Sequence, residues 1–74
     1  MHTATAIPIT LNGERREVAS EATLPDALRL LGLDPEQPGI AVAVNDAVVP
    51  RRRWAEQALG AGDAVEVITA TQGG

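Results

Sequence analysis

The sequence predicts an α+β domain: a mixed sheet of about four to five strands with one helix crossing it. Three observations carry this. Segments near both ends alternate apolar and polar residues with the period of a half-buried strand. A segment between them has the spacing of a helix instead, and its single apolar stripe suffices to cover only one face of a sheet. At 74 residues the chain is one domain, with no internal repeat or linker, and a chain this short must have an apolar, well-patterned core.

The elements follow in order. "AIPITLNGERREVA" reads as a hairpin: Ile7, Ile9 and Leu11 alternate with polar or small residues. Asn12-Gly13 supplies the pair of positive φ angles that a tight type I′ turn needs. The return strand places Arg16 and Val18 on one side and Arg15 and Glu17 on the other, a weaker pattern. "SEATLPDALRLLGLDP" carries the helix, with Thr23 as N-cap, Asp26 in a capping-box relation and Pro25 in the first turn, where its missing N–H is harmless. Leu24, Ala27, Leu28 and Leu31 share one face, Gly32 is the C′ residue and Pro35 confirms the stop.

"EQPG" is a loop, and "IAVAVN" is a continuous apolar run that reads as a strand covered on both faces or nearly so. Asn45-Asp46 turns the chain into a short strand, Val48-Val49, closed by Pro50. "RRRWAEQALGAGD" holds one helical turn anchored by Trp54 and Leu59, then a turn at "GAGD". "AVEVITA" is the final strand, with Val65, Val67 and Thr69 alternating against Glu66 and Ile68. That strand can lie beside the first, so that the residues after it emerge from the sheet. The layout is the ubiquitin-like β-grasp arrangement, with residues 1–69 as the folded domain and 70–74 as a flexible C-terminal tail.

Composition excludes several functions. The formal charge is −4, which argues against nucleic acid as a partner, because phosphate binding needs clustered positive charge. All 6 basic residues are Arg, so a lysine Schiff base and a polymer linked through the chain's own lysines are both excluded. With no cysteine there is no disulfide, no thiolate metal site and no cysteine nucleophile. No apolar stretch approaches the ~20 residues of a membrane span, and "MHTATAIP" lacks the basic and apolar regions of a secretory signal. These readings point to the cytoplasm and to no membrane partner. His2, alone at the start, is read as incidental. No carboxylate pair and no His/Asp/Ser arrangement supports intrinsic catalysis, so the chain is not expected to be an enzyme or to bind a cofactor or metal of its own.

The chain ends in "TATQGG". Two glycines contribute nothing to a core and lose the most backbone freedom on ordering, so Gly73 and Gly74 serve stability poorly. They do serve a thin arm with a free carboxylate at its tip. Fully extended, residues 70–74 reach roughly 17 Å, enough to thread a narrow channel while the folded body stays outside. A Cβ at 73 or 74 would widen the thread. A carboxylate is a poor electrophile, so its activation belongs in another protein's nucleotide site.

The stretch "IAVAVNDAVVPRRRWAEQALGAGDAVEVITATQGG" resembles the sulfur carriers of thiamine biosynthesis, the ThiS family. The matching features are an apolar strand ending in Asn45, "VVPR" from Val48 to Arg51, Trp54, the Gly62-Asp63 turn, a Val-rich strand and the terminal "QGG". The N-terminal half matches in pattern, through "TLNGE" and the Leu-rich helix ending near Gly32. The resemblance implies that the Gly74 carboxylate is adenylated by a ThiF-like enzyme using ATP and magnesium. A persulfide originating from a cysteine desulfurase then displaces AMP and leaves a thiocarboxylate, which donates sulfur to thiazole synthase, ThiG. Thr71, Gln72 and Gly73 are the tail residues that would occupy the partner's channel, and the free carrier is expected to be a monomer. Two other functions share the Gly-Gly ending: a sulfur carrier for molybdopterin synthesis and a ubiquitin-like modifier of lysines. Trp54 is read as a packing anchor, the Arg51-Arg52-Arg53 run as a solvated face, and Asp26, Asp34 and Asp46 as cap and turn residues.

Overall fold

The computed structural model describes residues 5–70. Strands β1 (Ala6–Leu11) and β2 (Glu14–Ala19) form the expected hairpin, with Ile7 opposite Val18 and Leu11 opposite Glu14. Its turn uses Asn12 at φ 53° and Gly13 at φ 83°, a left-handed pair whose twist matches that of the strands.

Helix α1 (Leu24–Leu30) begins and ends as local chemistry dictates. At its start the Thr23 N–H donates to the Asp26 carboxylate at 3.0 Å, satisfying a donor that the helix leaves free. At its end Gly32 takes φ 78° and donates to the Arg29 carbonyl at 2.9 Å, while the Leu33 N–H donates to the Leu28 carbonyl at 3.0 Å. This paired closure needs a residue that tolerates a left-handed backbone, and glycine is the least strained choice. Leu24, Ala27 and Leu28 are fully buried, and Leu31 packs at the core's margin.

Strand β3 (Ile40–Val44), β4 (Ala47–Val48), a 3₁₀ turn (Arg51–Glu56) and β5 (Ala64–Thr69) complete the chain's elements. The sheet order is β2-β1-β5-β3-β4. The last strand therefore lies in the middle, parallel to β1 with Leu11 opposite Val65, and antiparallel to β3 with Val42 opposite Val67. Five strands, one crossing helix and a terminal strand beside the first make the β-grasp arrangement that the sequence predicts.

Two local expectations change. The apolar run of β3 is covered on one face only: Val42 and Val44 are buried, whereas Ala41 is exposed and Ala43 half-buried. Alanine is small enough to face solvent at little cost, so the run conceals an ordinary in–out alternation. The short strand is Ala47–Val48 rather than Val48-Val49, because Asn45 and Asp46 alone form the turn, at φ 51° and 70°. The core joins Ile9, Leu11, Leu24, Leu28, Val42 and Val65 beneath the helix, with Trp54 and Leu59 at one side. Among the described residues, no helix is long and apolar enough to cross a membrane.

Candidate functional site

The candidate site has three parts: the end of β5, the uncovered sheet face beside it, and the turns that hold β5 in place. At the end of β5, Thr69 pairs with Ile40, and the Ala70 N–H donates to the Gly39 carbonyl at 2.7 Å. Gly39 adopts φ 82°, and a Cβ there would stand 3.4 Å from the Ala70 Cβ. Thr71, Gln72, Gly73 and Gly74 continue directly from this point in sequence and lie outside the described residues. So does His2.

The uncovered face follows from strand alternation. Ala41 lies opposite Ile68, and Ala43 lies between Glu66 and Val48. Ile68 is 68% exposed and Val48 is 78% exposed, unusual for branched aliphatic side chains. With the two alanines they make an apolar strip across β5, β3 and β4, and Glu66 adds a negative charge within it. Farther along the same face, Arg15 and Glu17 pair at 3.3 Å over β2.

The turns explain several of the motif residues. The Asn45 side chain donates to Asp63 Oδ1 at 3.0 Å and accepts the Ala64 N–H at 2.9 Å. Asp63 Oδ2 also accepts the Gly60 N–H at 2.7 Å. The asparagine of the β3–β4 turn and the aspartate of the Gly-Asp turn are thus one connected structure that fastens the start of β5. Asn12, in the turn of the first hairpin, holds the middle of β5, accepting the Val67 N–H at 2.7 Å. These contacts escape a reading by element. Their signal is asparagine, rather than glycine, at a left-handed turn position, which provides a side chain that can reach a partner.

Trp54 is a packing anchor, as expected: it is 3% exposed and its indole N–H donates to the Val49 carbonyl at 2.8 Å. The arginine run is exposed throughout, as a solvated face would be, and Arg51 also makes directed contacts. Arg51 donates to the carbonyls of Pro35 and Gln37, at 2.5 and 2.7 Å, and its guanidinium lies 4.4 Å from the centre of the Trp54 ring. Its planar fork satisfies two acceptors while stacking. Arg51 itself is exposed, as are Arg52 and Arg53. The carboxylates act as caps and turn residues: Asp26 at the helix start, Asp34 accepting the Glu36 N–H at 2.9 Å, and Asp46 within the β3–β4 turn. Among the described residues, no group of three or more His, Cys, Asp or Glu is placed to hold a metal.

The sequence profile of the ThiS family matches residues 9–74. The chain is 32% identical over 66 residues to the sulfur carrier protein ThiS of Escherichia coli (strain K12), a match that spans 89% of this chain and 97% of that protein. Its fold is similar to the crystal structure of the thiamine biosynthesis protein ThiS from Geobacter metallireducens, with a TM-score of 0.73 and 26% identity over 92% of this chain and 100% of that one. The matched stretch begins inside β1 and takes in the turn residues that fasten β5 as well as Gly74, and on this ground the chain belongs to the ThiS family.

Proposed function

We propose that this chain carries sulfur as a thiocarboxylate on Gly74 and delivers it for formation of the thiamine thiazole ring. The observation that supports this most strongly is the family match extending to Gly74, which takes in both terminal glycines. A carboxylate oxygen of Gly74 attacks the α-phosphate of ATP, pyrophosphate leaves, and an acyl-adenylate forms. The ATP and its magnesium belong to a ThiF-like adenylating partner. A persulfide sulfur supplied through a cysteine desulfurase attacks the acyl carbon and displaces AMP; a thiol then splits the sulfur–sulfur bond, leaving the thiocarboxylate. Thiazole synthase, ThiG, receives the sulfur.

On this reading the chain is a carrier, a free monomer of the cytoplasm, and does no catalysis itself. Thr71, Gln72 and Gly73 span the partner's channel, and the strip of Ala41, Ala43, Val48 and Ile68 docks the body against the adenylating enzyme and the synthase in turn.

The experiment is incubation with ATP, magnesium, the cognate adenylating enzyme and a sulfur source. Intact mass should rise by one oxygen-to-sulfur exchange, localised to the C-terminal peptide. One residue added after Gly74 should abolish the reaction, and deletion of Gly74 should cripple it, with stability within about 0.5 kcal/mol of the parent in both. Thiolation of the extended chain without trimming would overturn the mechanism. An activated parent recovered only as conjugates to lysines of other proteins would put a modifier in its place.

A further inference from the structure

Arg51 begins a connected set of contacts that ends at the root of the terminal segment. Its two donors hold the carbonyls of Pro35 and Gln37, and the aromatic face of Trp54 fixes the guanidinium plane. The loop it grips is internally braced. The Asp34 N–H donates to the Gln37 side chain at 2.9 Å, and the Gln37 N–H returns to the Asp34 carbonyl at 3.0 Å. Pro38, with its fixed φ, then leads into Gly39, whose carbonyl accepts the Ala70 N–H at 2.7 Å. Only one residue, Pro38, separates the carbonyl that Arg51 holds from the carbonyl that holds Ala70. The 3₁₀ turn bearing Arg51 packs against α1, on the covered side of the sheet, away from the strip of Ile68 and Val48.

We propose that Arg51 is a positioning residue that acts through the 34–39 loop to keep the Gly39–Ala70 hydrogen bond closed, and so fixes where the backbone leaves the folded body. Among the described residues, this bond is the last contact between the body and the backbone that leads to Gly74. On the carrier reading, opening it adds Ala70 to the residues that the partner's site must place and lowers the fraction of docked complexes with the carboxylate in place. Docking itself is untouched, because Arg51 is not on the uncovered face. The kinetic part rests on the carrier reading; the structural part does not.

The test uses Arg51→Met, which keeps a stem over Trp54 and removes both donors, and Gly39→Ala, which disturbs the same link from its other end. Amide hydrogen exchange on the isolated protein should quicken at Ala70 by about tenfold in each, with Val65 and Val67 within about twofold of the parent. In adenylation by the cognate enzyme, kcat should fall about fivefold or more while KM for the carrier stays within about twofold, and the double variant should be no worse than the poorer single one. If Arg51→Met loses protection at Val67, Arg51→Lys, which keeps the charge but loses the fork, takes its place. Ala70 exchange at the parent's rate, or a loss confined to KM, overturns the proposal. A parent that is never adenylated overturns the carrier reading instead, and the exchange measurement still decides the link.

Discussion

Side chains at turns matter in this small domain as much as side chains in the core. Asn45 holds a left-handed backbone and, with the same amide, joins Asp63 and the first residue of β5. A glycine would satisfy the backbone and lose both bonds. Trp54 is the sole aromatic of the chain, and it fills one flank of the core while its N–H is satisfied by Val49. Trp54→Ala should therefore cost about 3–5 kcal/mol, as truncation of buried aromatics does, read as a shift of the denaturant midpoint with an unchanged slope. A shift near zero would mean that the ring is not core. The anchoring role of Trp54 was legible in the sequence, since a lone large aromatic in a small domain is usually buried. The role of Arg51 was not. Its acceptors are main-chain carbonyls 14 and 16 residues away, and a carbonyl leaves no trace in the identity of its residue.

Elements differ in how far local sequence determines them. Helix α1 was legible throughout, because its cap, its buried stripe and its closing glycine all act within a few residues of one another. The facing of β3 was not, because alanine at Ala41 and Ala43 suits a buried or an open position equally. Only the single helix, covering a single face, decides the matter. The strip bearing Ile68 and Val48 stays open to solvent, and its exposure contributes nothing to the fold. Ile68→Asp should leave stability within about 0.5 kcal/mol of the parent. On the carrier reading it should also weaken binding to both the adenylating enzyme and the synthase, and the two enzymes should compete for the unmodified chain. Simultaneous binding of both to one carrier, or full affinity in the variant, would rule out this face as the shared platform.

At the scale of the whole molecule, β5 is the piece that makes one sheet out of two hairpins. On one side stand β2 and β1, on the other β3 and β4, and in the sheet order the halves meet only through β5. Its place beside β1 was legible from the order of elements, since a single crossing helix brings the chain back to the first strand. The sulfur chemistry expected of Gly74 came only through the family motif, whereas the thin arm was read from the glycines themselves; both lie beyond the residues described. A chain cut after Pro50 retains four strands and the helix. It should nonetheless show no cooperative thermal transition, because isolated two-stranded hairpins are marginal in water. A sharp calorimetric peak from that fragment would show that the two hairpins and the helix hold together without β5. Position in the sheet also governs timing during translation. The ribosome must release everything through Thr69 before the sheet can close, so a stalled or truncated product stays unfolded and open to proteolysis. A folded body that stops short of residues 70–74 is then scarcely made, and on the carrier reading its partners are spared a decoy that could dock but never react.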